Sequence, residues 1–220
     1  MRGLGRTDFK RLVFLAVFYA CLSFAYSLLA FLYPHFPGYN TEYASQRLAI
    51  EILGHFAFGV LASIPLLDLQ LSLLTGGLAV LIDVDHILAV IGYSVSGSPD
   101  HNFLYLLVSA VLLFIVAKRL GYSSGRLAKV AFVGPIALFS HISYDLYAAG
   151  PPYSAFPLFA PFSFQNIYLP YSDWLPFEIA GLAVAVLAFF VARHFKRDAM
   201  RRAETLGQAE QLKPKSTGTA

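Results

Sequence analysis

Long apolar runs recur six times along the 220 residues, separated by short polar stretches. A helix needs about 20 apolar residues to cross a hydrocarbon core about 30 Å thick. The runs meet or approach that length: Leu12 to Tyr33, Ala49 to Leu67, Leu69 to Tyr93, Phe103 to Ala117, Leu127 to Ala148 and Leu175 to Ala192. The pattern predicts an all-α, polytopic membrane protein with about six transmembrane helices. Arg2, Arg6, Lys10 and Arg11 precede the first run as they would in a signal peptide, yet its apolar core is too long for one and no small-residue cleavage site follows. The expected division is a six-helix domain over residues 1–195 and a basic tail over 196–220, read as a frayed helix end followed by disorder. No internal repeat of the inverted-repeat transporter kind is visible.

Composition sharpens this reading. Hydrophobic residues make up 57% of the chain and charged residues 13%, against roughly half and a quarter in soluble domains, which excludes an ordinary cytosolic globule. Cys21 is the single cysteine, so neither a disulfide framework nor a Cys-rich zinc site is available. The net charge of +3 matters through its placement. One alternate set of loops and termini holds fifteen of the sixteen Lys and Arg residues; the other holds Arg47 alone. The positive-inside rule then puts both termini in the cytoplasm, and the loops near residues 34–48, 94–102 and 149–174 outside. The basic tail suits an anionic lipid surface. With no aromatic interleaving and no binding fold, nucleic acid is not an expected partner.

Ionisable side chains inside the bilayer cost roughly 2.5 to 3.5 kcal/mol each, so they mark candidate sites. They are Glu51 and His55 in the second span, Asp83, Asp85 and His86 in the third, His141 and Asp145 in the fifth, and Glu178 in the sixth. Counting about 1.5 Å per residue puts His55 roughly 9 Å below the outer surface and the Asp83 and His141 groups at a similar level, in the outer third of the membrane. Asp100 and His101 join them from the start of the fourth span. The inner halves of the spans are nearly free of such groups, and a proton or ion pathway would need them there.

His141 and Asp145 share a helix face at i, i+4, as do Glu51 and His55, while Asp83 and His86 are i, i+3. Imidazole with carboxylate suits zinc first, then manganese or iron, and a set with several carboxylates suits a two-metal hydrolytic site. Asp85 falls nearly opposite Asp83 on an ideal helix, so either one of them stands outside the ligand set or the helix loosens there. The expected metal ligands are His55, Asp83, His86, His141 and Asp145, with Asp85 and His101 as supporting residues or general base. Glu51 and Glu178 are expected to snorkel to the outer interface, and Asp68 to serve a tight turn. Ser140 points about 100° away from its neighbour His141, which argues against a serine triad. Gly76 and Gly77 read as helix-packing positions, with no following Lys-Ser or Lys-Thr to make a phosphate loop.

The ordered set HFAFG at His55, DVDH at Asp83 to His86, PDHNF at His101, SHISYD at His141 to Asp145, and PFS at Pro161 to Ser163 resembles the YdjM-like family of membrane-bound, metal-dependent hydrolases, also described as LexA-binding inner-membrane-associated proteins. The resemblance covers about residues 50 to 165. It departs at Ile82, where that family has Pro, and at SGSPDHNF, where it has an Arg-rich stretch. The resemblance implies a hydrolase of the cell inner membrane with a divalent metal ion. Combined with the outward-facing cluster, the expected substrate is an ester or phosphoester of a lipid-like amphiphile, with membrane lipids as the surrounding partner. Rival readings are a metal transporter using the same ligands in transit and a non-catalytic scaffold whose buried pairs fix helix register.

Overall fold

The computed structural model describes residues 6–28, 41–85, 100–149, 153–163 and 165–211. Within them the chain is all-α apart from one small hairpin. Helix α1 spans Arg6–Ser27, α2 Thr41–Ser63, α3 Leu69–Leu81, α4 Phe103–Arg119, α5 Ser124–Ala149 and α6 Trp174–Gln211. Strands β1 (Tyr153–Phe156) and β2 (Ile167–Pro170) pair antiparallel, with Tyr153 opposite Pro170 and Phe156 opposite Ile167. Four helical stretches are long and apolar enough to cross a membrane: Asp8–Ser27, Ala49–Leu66, Ser124–Ala148 and Tyr171–Thr205. Leu69–Val84 is a shorter apolar helix.

Local chemistry sets the boundaries. Pro65 lies in a 3-10 turn over Ile64–Leu66 that follows α2, and Leu67 closes it in a left-handed conformation (φ 50°). The Asp68 carboxylate then accepts from the Leu71 amide at 3.3 Å, satisfying one of the free donors at the start of α3. Asp68 also pairs with Arg126 at 3.3 Å, so its role is structural as expected. The connection is so short that α2 and α3 must run side by side. Asn102 caps α4 in the same way, accepting from the Tyr105 amide at 2.8 Å.

Helix α5 is the axis of the packing. It touches α2, α3, α4 and α6, and Val133, Ile136, Leu138, Ile142 and Leu146 along it are buried. The outward faces are apolar too: Val13 and Val17 of α1, Leu107 and Val111 of α4, and Leu187 and Phe190 of α6 are exposed. Such a surface is unfavourable in water over this extent and suits hydrocarbon.

One expectation is refined and one corrected here. Within the third run, expected to span Leu69 to Tyr93, α3 gives way after Leu81 to a 3-10 turn over Ile82–Asp85, with Asp83 at φ −82°, ψ 19°. Its 13 residues cover about 20 Å, and the rest of that run, residues 86–93, lies outside the described residues. The sixth helix does not fray near residue 196. It runs on to Gln211, through a stretch rich in strong helix formers and with an i, i+4 pair of His194 and Asp198 at 3.3 Å.

Candidate metal centre

Four segments bring five of the expected residues together. His55 comes from the middle of α2, Asp83 from the turn that ends α3, His101 from the two residues before α4, and His141 and Asp145 from adjacent turns of α5. The loosened turn at Ile82–Asp85 answers the conflict between Asp83 and Asp85: the helix gives way at this point, and Asp83 turns toward α2 and α5. Asp85 sits in the same turn with its side chain outside the described residues, and His86 lies outside them altogether.

His55 Nε2 is 3.4 Å from Asp83 Oδ2 and 3.4 Å from Asp145 Oδ1. His141 Nε2 is 3.4 Å from Asp83 Oδ1 and 3.3 Å from Asp145 Oδ2. His101 Nε2 is 3.8 Å and 3.4 Å from the same two oxygens, and 2.6 Å from His141 Nε2. His101 was expected as a supporting residue or general base; its Nε2 instead stands among the expected ligands. His55, His101 and His141 are buried, and Asp83 and Asp145 are partly open. Two overlapping triples, His55 with Asp83 and His141, and His101 with His141 and Asp145, have donor atoms close enough to hold a metal ion.

The tautomers follow from the outer partners. His141 Nδ1 donates to the Ala79 carbonyl at 2.7 Å, and His101 Nδ1 donates to Asp100 Oδ1 at 2.9 Å. Neither acceptor has a proton to return, so each neutral ring carries its hydrogen on Nδ1 and turns a bare Nε2 lone pair inward. With both rings neutral, two lone pairs 2.6 Å apart and flanked by two carboxylates would repel one another, unless a shared proton or a cation lies between them. A cation turns that repulsion into attraction. Ligand atoms at about 2.0 to 2.1 Å from a common ion lie about 3.4 Å apart at tetrahedral angles, as do most of the histidine-to-carboxylate pairs here, whereas the 2.6 Å between His101 and His141 would have to open to admit an ion. The donor set therefore fits a divalent ion of the zinc, manganese or iron type.

Sequence reasoning put Asp100 at this level without a role and missed Ser23. Asp100 is fully buried; its Oδ2 accepts from the Ser23 hydroxyl at 2.6 Å, and the same hydroxyl lies 2.8 Å from the Ile82 carbonyl. Helix α1 thus reaches the centre without giving it a ligand. The run Asp100-His101-Asn102 before an apolar stretch was the available signal for Asp100; nothing in the sequence marks Ser23. Asp100→Asn is expected to weaken metal binding by about 10- to 100-fold, the usual cost of losing an outer carboxylate on a ligating histidine. Competition against a chelator measures it, and unchanged affinity would mean that packing alone orients His101.

The Ser140 hydroxyl donates to the Ala137 carbonyl at 3.0 Å, within its own helix. Glu51 is half-buried one turn before His55. Glu178, expected to snorkel, is turned inward and nine-tenths buried, with Oε2 lacking a hydrogen-bond partner among the described residues. A Cβ on Gly76 would meet the Phe56 carbonyl at 2.7 Å, whereas one on Gly77 would meet nothing within 4 Å, so only Gly76 serves close packing.

The loop after α5 covers one side of the centre. The Phe156 ring lies nearly parallel to His101, with centroids 5.8 Å apart. The Leu158 carbonyl accepts from the Phe103 amide at 3.0 Å, and Phe159 meets Phe103 edge to face at 5.8 Å. Phe162, by contrast, is 85% exposed. No family model matches the chain, and neither a curated protein nor a solved structure matches it.

Proposed function

We propose that this chain is a six-span membrane hydrolase with both termini in the cytoplasm, using a divalent metal ion at its outer face to cleave an ester or phosphoester of a lipid-like substrate. The observation that carries the reading is the convergence of His101 Nε2 and His141 Nε2 on the carboxylates of Asp83 and Asp145. A scaffold could hold register with one or two buried polar pairs, and the desolvation cost of five clustered ionisable groups exceeds what that task requires. The ordered motifs shared with the YdjM-like family support the same reading.

A divalent ion held by these residues supplies Lewis acidity and activates water near neutral pH. The chain's own part is to hold the ligands in one tautomer, through Asp100 and Ala79, and to keep the site largely dry. Hydrolysis adds the hydroxyl of water to the acyl or phosphoryl centre and a proton to the departing alcohol. Asp85, in the turn beside Asp83, is the carboxylate assigned to pass that proton. Zinc leads the candidate ions, with manganese and iron next.

Protein purified without chelator is expected to carry transition metal by mass spectrometry and to lose hydrolytic activity when the metal is removed. Metal-free protein with full activity would overturn the reading. The aromatic loop supplies a second check. If Phe159 and Phe162 meet the acyl region of the outer leaflet, Phe159→Ser with Phe162→Ser should lower activity on a long-chain ester about 10-fold or more, the worth of a few buried methylenes, and leave a short-chain soluble ester nearly unaffected. Equal losses on both would assign the loop to support of the site.

Orientation is tested by labelling. After Cys21 is replaced, Gln165→Cys is expected to react with an impermeant thiol reagent in intact cells and Glu204→Cys is not. Both positions are exposed. The reverse pattern would place the site on the cytoplasmic side.

A further inference from the structure

We infer that the centre holds two metal ions bridged by the carboxylates of Asp83 and Asp145, with one ion on His55 and the other shared by His101 and His141. This rests on the metal-dependent reading above and goes beyond it in nuclearity.

The ring planes carry the inference. An ion bound by imidazole lies close to the ring plane, along the nitrogen lone pair. His55 and His141 stack face to face, with centroids 3.9 Å apart and planes only 9° from parallel. Two near-parallel planes at that spacing do not meet near the rings, so the triple of His55, Asp83 and His141, close enough by distance, does not aim both Nε2 lone pairs at one ion. His101 and His141 differ: their planes cross at 67° and their Nε2 atoms are 2.6 Å apart. That pair converges.

The carboxylates divide in the same way. The closest approaches of His55 run to Asp83 Oδ2 and Asp145 Oδ1. Those of His101 and His141 run to the opposite oxygens, Asp83 Oδ1 and Asp145 Oδ2. Each carboxylate therefore turns one oxygen to each side, as a bridging ligand does. His55 needs no outer acceptor to hold this pose. Its ring is fixed between His141 and Tyr144, whose ring meets it edge to face at 4.6 Å.

Such a pair of ions suits a phosphoester better than a carboxylic ester, because two cations flank both the entering and the leaving oxygen of an in-line displacement. The substrate class narrows to a phosphoester bearing an apolar tail.

The test loads purified wild-type protein with manganese(II), counts the metal per chain and records its electron paramagnetic resonance spectrum. Two ions per chain with an exchange-coupled, many-line spectrum are expected. His55→Ala should bind one ion and show the isolated six-line signal of a single manganese. One ion per chain with an uncoupled spectrum in the wild type would overturn the bridged pair and leave the metal-dependent reading standing. No bound metal at all would overturn both. The wild-type spectrum decides alone if the variant does not fold.

Discussion

His141→Ala is expected to lose the ion shared with His101 while the helices still insert. His141 belongs to both candidate metal-binding triples, is fully buried, and has its Nε2 within 3.4 Å of His101, Asp83 and Asp145. Losing an outer partner of a ligating histidine costs about 10- to 100-fold in affinity, so losing this ligand should cost more than about 100-fold. Insertion follows the summed hydropathy of a span, and alanine makes α5 more apolar. Metal per chain by mass spectrometry and helical content by circular dichroism separate the two effects. Unchanged metal per chain with normal helicity would remove His141 from the ligand set.

Gly76→Val is expected to be the most damaging change away from the ligands. A Cβ there would lie 2.7 Å from the Phe56 carbonyl and 2.8 Å from Val60, and Gly59 across the contact has its own Cβ position 2.8 Å from the Gly76 Cα. Backbone lies on both sides, so the helices must separate. Overpacking of this kind costs about 1 to 3 kcal/mol, with about 2 to 4 °C of melting temperature per kcal/mol for a chain of this size. The damage extends to the centre, since His55 and Asp83 ride on the same two helices. Gly77→Val, one residue on, is the control and should shift the melting point little. Equal shifts would mean that the close approach of α2 and α3 contributes nothing.

The helical character and most helix positions were legible because an apolar run of given length has few alternatives, and α4 and α5 begin within three residues of the expected Phe103 and Leu127. Composition alone misplaced the end of the sixth helix and left the turn at Ile82–Asp85 as one of two alternatives. The tightening at Ile82 reflects packing that no propensity records. The run through Gln211 depends on helix formers and local ion pairs that hydropathy scores as tail. Clustering of His55, Asp83, His141 and Asp145 was legible from cost, since buried ionisable groups must find one another. The split of each carboxylate between two sides, the ring planes and the Ser23 to Asp100 link were not, because they depend on rotations about side-chain bonds that sequence spacing leaves free.

The residues of the centre run from position 55 to position 145 and come from four segments, with α1 closing the outer layer through Ser23. No local fragment holds the set. At about 5 to 20 residues per second, a growing chain spends seconds with His55 made and Asp145 still to come. The centre is therefore assembled late, after the helices that frame it have met. On the metal-dependent reading, metal loading would be an event in the life of the finished protein, timed by the supply of ions at its site and separable from biosynthesis. Chains made in metal-poor medium should accept their ions afterwards without refolding.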